Sequence, residues 1–83
     1  MYEIYLVFRS ITYAQRGQSV LNRRGIPSNL GRSPAQISKN GCAYALRLRF
    51  SDAKRAAWVL EDERVPFSSI YRYRNGQYEV FSP

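Results

Sequence analysis

The sequence predicts an α+β domain, with strands and helices in the order βαββαβ and an added C-terminal hairpin strand. Three observations carry this. Residues 2–8 alternate, with Tyr2, Ile4, Leu6 and Phe8 on one face and Glu3, Tyr5 and Val7 on the other. Residues 43–50 alternate again, with Tyr44, Leu46, Leu48 and Phe50 opposite Ala43, Ala45, Arg47 and Arg49. Asn75-Gly76 stands between two alternating runs, the signature of a two-residue type I′ hairpin, because both central residues need positive φ.

Residues 2–8 are apolar on much of both faces, which suits a central strand. Ser10 has the hydroxyl to cap a helix running to about residue 24. Ala14, Gly17, Val20 and Leu21 make its inward stripe. Gly17 costs up to ~1 kcal/mol relative to Ala inside a helix, so a close approach to the sheet is its expected reason. Arg23 and Arg24 complement the helix dipole, and Gly25 ends the helix. Residues 26–30 read as a weak strand that Pro27 confines to an edge. A long loop, 31–41, follows, and long loops in small domains are often functional.

Ser51 is expected to cap a second helix with Asp52 in its first turn. Ala53, Ala56, Ala57 and Leu60 form its stripe, with Trp58 at the margin. Glu61, Asp62 and Glu63 read as a solvated helix end, since consecutive helical positions do not converge on one ion. Pro66 bars continuation. The hairpin register then pairs Arg74 with Gln77, Tyr73 with Tyr78, Arg72 with Glu79 and Tyr71 with Val80. This element order matches the split βαβ, ferredoxin-like sandwich. One sheet face is expected to carry both helices and the other to stay open.

Residues 1–83 are expected to form a single domain. The formal charge is +7 and 11 of the 13 basic residues are Arg, a balance that favours anionic partners. One cysteine cannot form an internal disulfide or a multi-cysteine zinc site. The lack of histidine removes catalytic triads and most transition-metal sites, so no metal or cofactor is expected. No stretch resembles a signal peptide or a membrane span, and a reducing, cytoplasmic setting is the expectation.

Cys42 sits where the loop becomes a strand. Nearby cations lower a thiol's pKa and so favour the nucleophilic thiolate, and Lys39, Arg47 and Arg49 are the near-sequence candidates. Gly41 leaves the backbone free to present N–H groups to an anion. The competing reading is a small buried hydrophobe.

Several segments resemble a family of small bacterial and archaeal selenium/sulfur carrier-like proteins. They are Ser10-Ile11-Thr12-Tyr13-Ala14, Leu21 with Gly25-Ile26, then Pro34, Ile37 and Ser38, then Cys42 with Ala45-Leu46-Arg47, and finally Ile70-Tyr71. The similarity runs over residues 2–73. This chain has Ala43 where the family commonly has Gly, and one extra residue between Pro34 and Cys42. The resemblance implies a carrier that holds sulfur or selenium on Cys42, with Lys39, Gly41 and Arg47 around the anion. It implies a donor or acceptor protein as partner, and a carrier rather than a stand-alone catalyst.

Two other readings come from the residues themselves. Tyr5, Arg47, Arg49, Tyr71 and Tyr73 are expected on the open face, and aromatics interleaved with Arg suit single-stranded nucleic acid. The third strand, however, lacks the leading cation and first stacking aromatic of the RNA-recognition signature. Alternatively the open face or an edge strand makes the domain an interaction module, with a homodimer as one outcome.

Overall fold

The computed structural model describes residues 2–38 and 43–83. It is an α+β protein: a five-stranded antiparallel sheet and two α-helices. The elements run β1 (Ile4–Phe8), α1 (Ile11–Arg23), β2 (Asn29–Arg32), β3 (Tyr44–Leu48), α2 (Ala53–Asp62), β4 (Ser69–Arg74) and β5 (Gln77–Val80). The strand order is β2-β3-β1-β4-β5, so β1 is central, as its two-sided hydrophobicity requires. All five β1 residues are buried. Because β3 is antiparallel to both β1 and β2, helix α1 links two parallel strands that are not neighbours. Helix α2 does the same for β3 and β4.

Both helices pack on one face. Ile4, Leu6, Phe8, Leu46, Leu48 and Ile70 from the sheet form one core with Ala14, Val20 and Leu21 of α1 and Ala53, Ala56, Ala57 and Leu60 of α2. Alternation along the strands and 3.6-residue periodicity along the helices converge there. Ser10 accepts the Tyr13 amide at 3.2 Å and caps α1. Gly25 follows the helix at φ +76°, the left-handed geometry that ends it. At Gly17 a Cβ would lie 3.1 Å from Phe8 Cζ and 3.3 Å from Leu46 Cδ1, which is the close approach the sequence implies.

The hairpin forms in the expected register, with Asn75 at φ 53° and Gly76 at φ 78°. Four expectations change. Strand β2 occupies Asn29–Arg32 rather than 26–30, which moves it off Pro27. Ser51 does not cap α2: it lies inside a 3₁₀ turn, Phe50–Asp52, and Asp52 instead binds Arg49 at 2.9 Å. The carboxylates at the end of α2 are not merely solvated. Glu63 meets Arg24 at 3.2 Å and Arg23 at 3.9 Å, and Asp62 meets Arg24 at 3.9 Å, joining the C-terminal ends of the two helices. Such exposed pairs are worth about 0–1 kcal/mol each.

The fourth change concerns the second sheet face, which is covered over β1 and β3 and stays open over β5, where Val80 is 76% exposed. Ile37, in the segment that follows β2, is buried against Tyr5, Val7 and Ala45 and forms a second small core with them. A sequence pattern marks which residues alternate but not what folds over them. Ile37 lies outside any strand or helix and has no period to reveal it.

Candidate functional site

Two regions carry the residues singled out by sequence. The first is the β2–β3 connection. Its neck is closed where Ser33 N–H donates to the Ala43 carbonyl at 2.8 Å, extending the β2–β3 ladder past Arg32↔Tyr44. A turn at 34–37 follows, with Ile37 N–H donating to the Pro34 carbonyl at 3.0 Å. Ile37, only 3% exposed, anchors that turn to the sheet. Lys39, Gly41 and Cys42 lie outside the described residues, as does Asn40. In the chain Cys42 comes after this turn and immediately before Ala43.

Arg47 is placed with the second sheet face rather than with the neck. It is three residues along β3 from Tyr44, about 10 Å at the rise of a strand. There its guanidinium lies 5.4 Å from the Tyr5 ring centroid and donates to the Tyr2 carbonyl at 3.3 Å. The described cation in register with the neck is Arg32, whose guanidinium lies 5.9 Å from the Tyr44 ring centroid. Sequence reasoning passed over Arg32 because it sat in an expected loop with no partner in view.

The second region is the sheet face away from the helices. Pairing brings Arg47, Tyr5, Tyr71 and Val80 side by side across β3, β1, β4 and β5, with Tyr73 opposite Tyr78 in the adjoining pair. Tyr78, which the sequence reading left out of the face, is at its centre. Its ring is 5.4 Å from Tyr5, edge-on at 76°, and 4.8 Å from Tyr73 at 55°. The signal for Tyr78 was its pairing with Tyr73 in the hairpin register. Arg49 does not join this cluster, since Asp52 holds it beyond the end of β3.

The clustering bears on nucleic-acid stacking. Tyr5 is only 9% exposed, with Arg47 over it and the Tyr78 ring against it. A base needs a free ring face, and Tyr5 offers little. A groove of about 470 Å³ remains between Gln36 and Ile37 on one side and Tyr71, Tyr78 and Val80 on the other.

Burial pushes the Tyr78 phenol above its ordinary value of 10.0, and a hydrogen bond with Tyr5 adds to the shift. Tyr5 and Tyr73 also raise it through charge repulsion, while Arg47 lowers it. The folded state therefore holds this proton more tightly than the unfolded chain. That contribution to stability is fully present below the unfolded value and is lost as pH rises through the folded one. Urea unfolding midpoints are expected to fall as pH rises past the unfolded value of 10.0, and Tyr78→Phe to flatten the fall. An equal fall in the variant would exclude Tyr78 as its source.

Among the described residues no group of three or more Asp, Glu, Cys or His is placed to hold a metal ion. No helix among them is long and apolar enough to cross a membrane.

Fold and site together define a small α+β protein whose one cysteine follows a loop segment anchored to the sheet by Ile37. Residues 3–72 match the family model described as "Putative Se/S carrier protein-like", and the chain belongs to that family. Searches of curated proteins and of solved structures find no match.

Proposed function

We propose that this protein is a thiol-bearing carrier that holds sulfur or selenium on Cys42 and passes it between proteins. The observation that carries this is the family match, which spans the whole β2–β3 connection including Cys42. The strand order and the two crossover helices also support reading the βαββαβ unit as a ferredoxin-like sandwich with β5 added at its edge.

The chemistry needs one thiolate and no cofactor. Cys42 thiolate attacks the terminal sulfur of a donor persulfide. The donor's sulfur–sulfur bond breaks and its thiolate leaves, so Cys42 now carries the persulfide. An acceptor nucleophile then takes that terminal sulfur, and Cys42 leaves as thiolate. Neither step needs an external oxidant or reductant. A cation near the sulfur favours both the attacking and the leaving thiolate. On this reading Lys39 and Gly41 serve from within the loop and Arg32 from its neck. Arg47 contributes less, because Tyr5 and the Tyr2 carbonyl already engage it. The protein works in a reducing, cytoplasmic setting and acts as a carrier rather than as an enzyme.

The test is incubation with a persulfide donor followed by intact-mass measurement, together with alkylation rate against pH. A single added sulfur is expected, with an alkylation midpoint below the free-thiol value of about 8.5. Cys42→Ser is expected to abolish loading while circular dichroism and thermal melting stay unchanged. Loading that survives the substitution would refute the role of Cys42.

A further inference from the structure

Strand β5 ends the sheet, and among the described residues no strand lies along its outer side. The other edge, β2, is flanked by Pro27 and Pro34, whereas residues 77–82 contain no proline. The pairing shows which backbone groups of β5 are free. Phe81 N–H donates to the Ile70 carbonyl at 2.9 Å, so in this register Ile70 and Phe81 are a hydrogen-bonding pair. Such pairs alternate along an antiparallel ladder, so Glu79 and Gln77 also turn their backbone groups toward β4. Tyr78 and Val80 turn theirs outward. Val80 is 76% exposed and borders the groove lined by Ile37, Tyr71 and Tyr78. The edge thus offers two outward peptide groups beside an apolar surface. It also lies beyond the residues that match the family.

A second copy fits this edge poorly. The two-fold register that uses both outward groups pairs Tyr78 with Val80 of the copy. It sets Glu79 directly against Glu79, at about 4.5 Å between Cα atoms, where like charges destabilise. Sliding the register leaves only one hydrogen-bonding pair within the strand. Glu79 has no ion pair among the described residues, because Arg72 across from it binds Glu3 at 2.9 Å and lies over Phe50.

We propose that the β5 edge accepts an extended segment of a partner protein as a sixth strand. That segment carries a cationic residue opposite Glu79 and apolar residues opposite Tyr78 and Val80. Main-chain bonds supply the affinity and the alternating side chains the selectivity, as in other strand additions. The inference is independent of Cys42, and the Cys42→Ser protein serves as well as the wild type in its test.

The probe is a blocked peptide, Ser-Thr-Val-Lys-Val-Thr-Ser, compared with its Lys-to-Glu counterpart by NMR titration and amide hydrogen exchange. The Lys peptide is expected to slow exchange at Tyr78 and Val80 and to bind about fivefold more tightly than the Glu peptide. Glu79→Lys is expected to reverse that preference. Val80→Pro removes an outward donor at a position where an edge tolerates proline, and is expected to weaken binding about fivefold. Unchanged exchange at Tyr78 and Val80 with millimolar peptide would overturn the proposal. So would equal affinities for the two peptides, or a sedimenting dimer that protects the same two amides.

Discussion

Phe8→Ala is expected to cost about 3–5 kcal/mol, the largest effect of any single truncation in this core. Phe8 is fully buried, and its ring supplies the surface on which Gly17 brings α1 down to the sheet. Removing the ring leaves a cavity under a helix that has no side chain at residue 17 to collapse into it. A small domain has total stability near the low end of 5–15 kcal/mol, so the variant would be largely unfolded at moderate temperature. Its melting temperature should fall by roughly 15–30 °C. The converse change sharpens the test. Gly17→Ala gains up to ~1 kcal/mol of helix propensity but pushes a methyl to within 3.1 Å of the Phe8 ring. Overpacking of that kind costs about 1–3 kcal/mol. Phe8→Leu should therefore cost less in the Gly17→Ala protein than alone, with a coupling of about 0.5–3 kcal/mol in a double-mutant cycle. Additive effects would mean that the helix–sheet spacing is set elsewhere.

Ile37→Ala is expected to cost about 2 kcal/mol, the low end for a buried Ile because its cluster is small. The larger consequence is local. Ile37 is the side chain that fastens the segment after β2 to Tyr5, Val7 and Ala45. Without it the amides of Ile37 and Ser38, which donate to the Pro34 and Ala35 carbonyls, should exchange much faster than the β1–β3 ladder. For the proposed carrier role, the readout is sulfur loading on Cys42. If the anchored turn presents the thiol, loading slows in the variant while the sheet stays intact. Exchange that rises uniformly through the sheet would instead make Ile37 an ordinary core residue.

Much of the fold was legible because it rests on local rules. Period-two alternation placed β1 and β3, and 3.6-residue spacing selected Ala14, Gly17, Val20 and Leu21 on α1. The positive φ demanded at Asn75 and Gly76 set the hairpin register to the residue. Family membership was also readable: the resemblance seen over residues 2–73 agrees with the family match over residues 3–72.

Less of the site was legible, because it depends on contacts between residues distant in the chain. Charge near Cys42 in sequence nominated Arg47, but strand rise carries that guanidinium away from the neck to Tyr5. Arg32 comes to the neck only because β2 pairs with β3. Tyr78 meets Tyr5 only because β5 adds beyond β4 in the same sheet. Asp52 and Glu63 looked like helix-end carboxylates and proved to be partners of Arg49 and Arg24. The covering of the second face was the farthest from view, since one aliphatic residue in an aperiodic turn decides it. The order of the elements and the pairing of the hairpin could be read from sequence, because backbone sterics and side-chain period act over a few residues. Which cations reach the loop neck, which rings meet and how much of the second face is covered are instead set by packing across the sheet, between residues far apart in the chain.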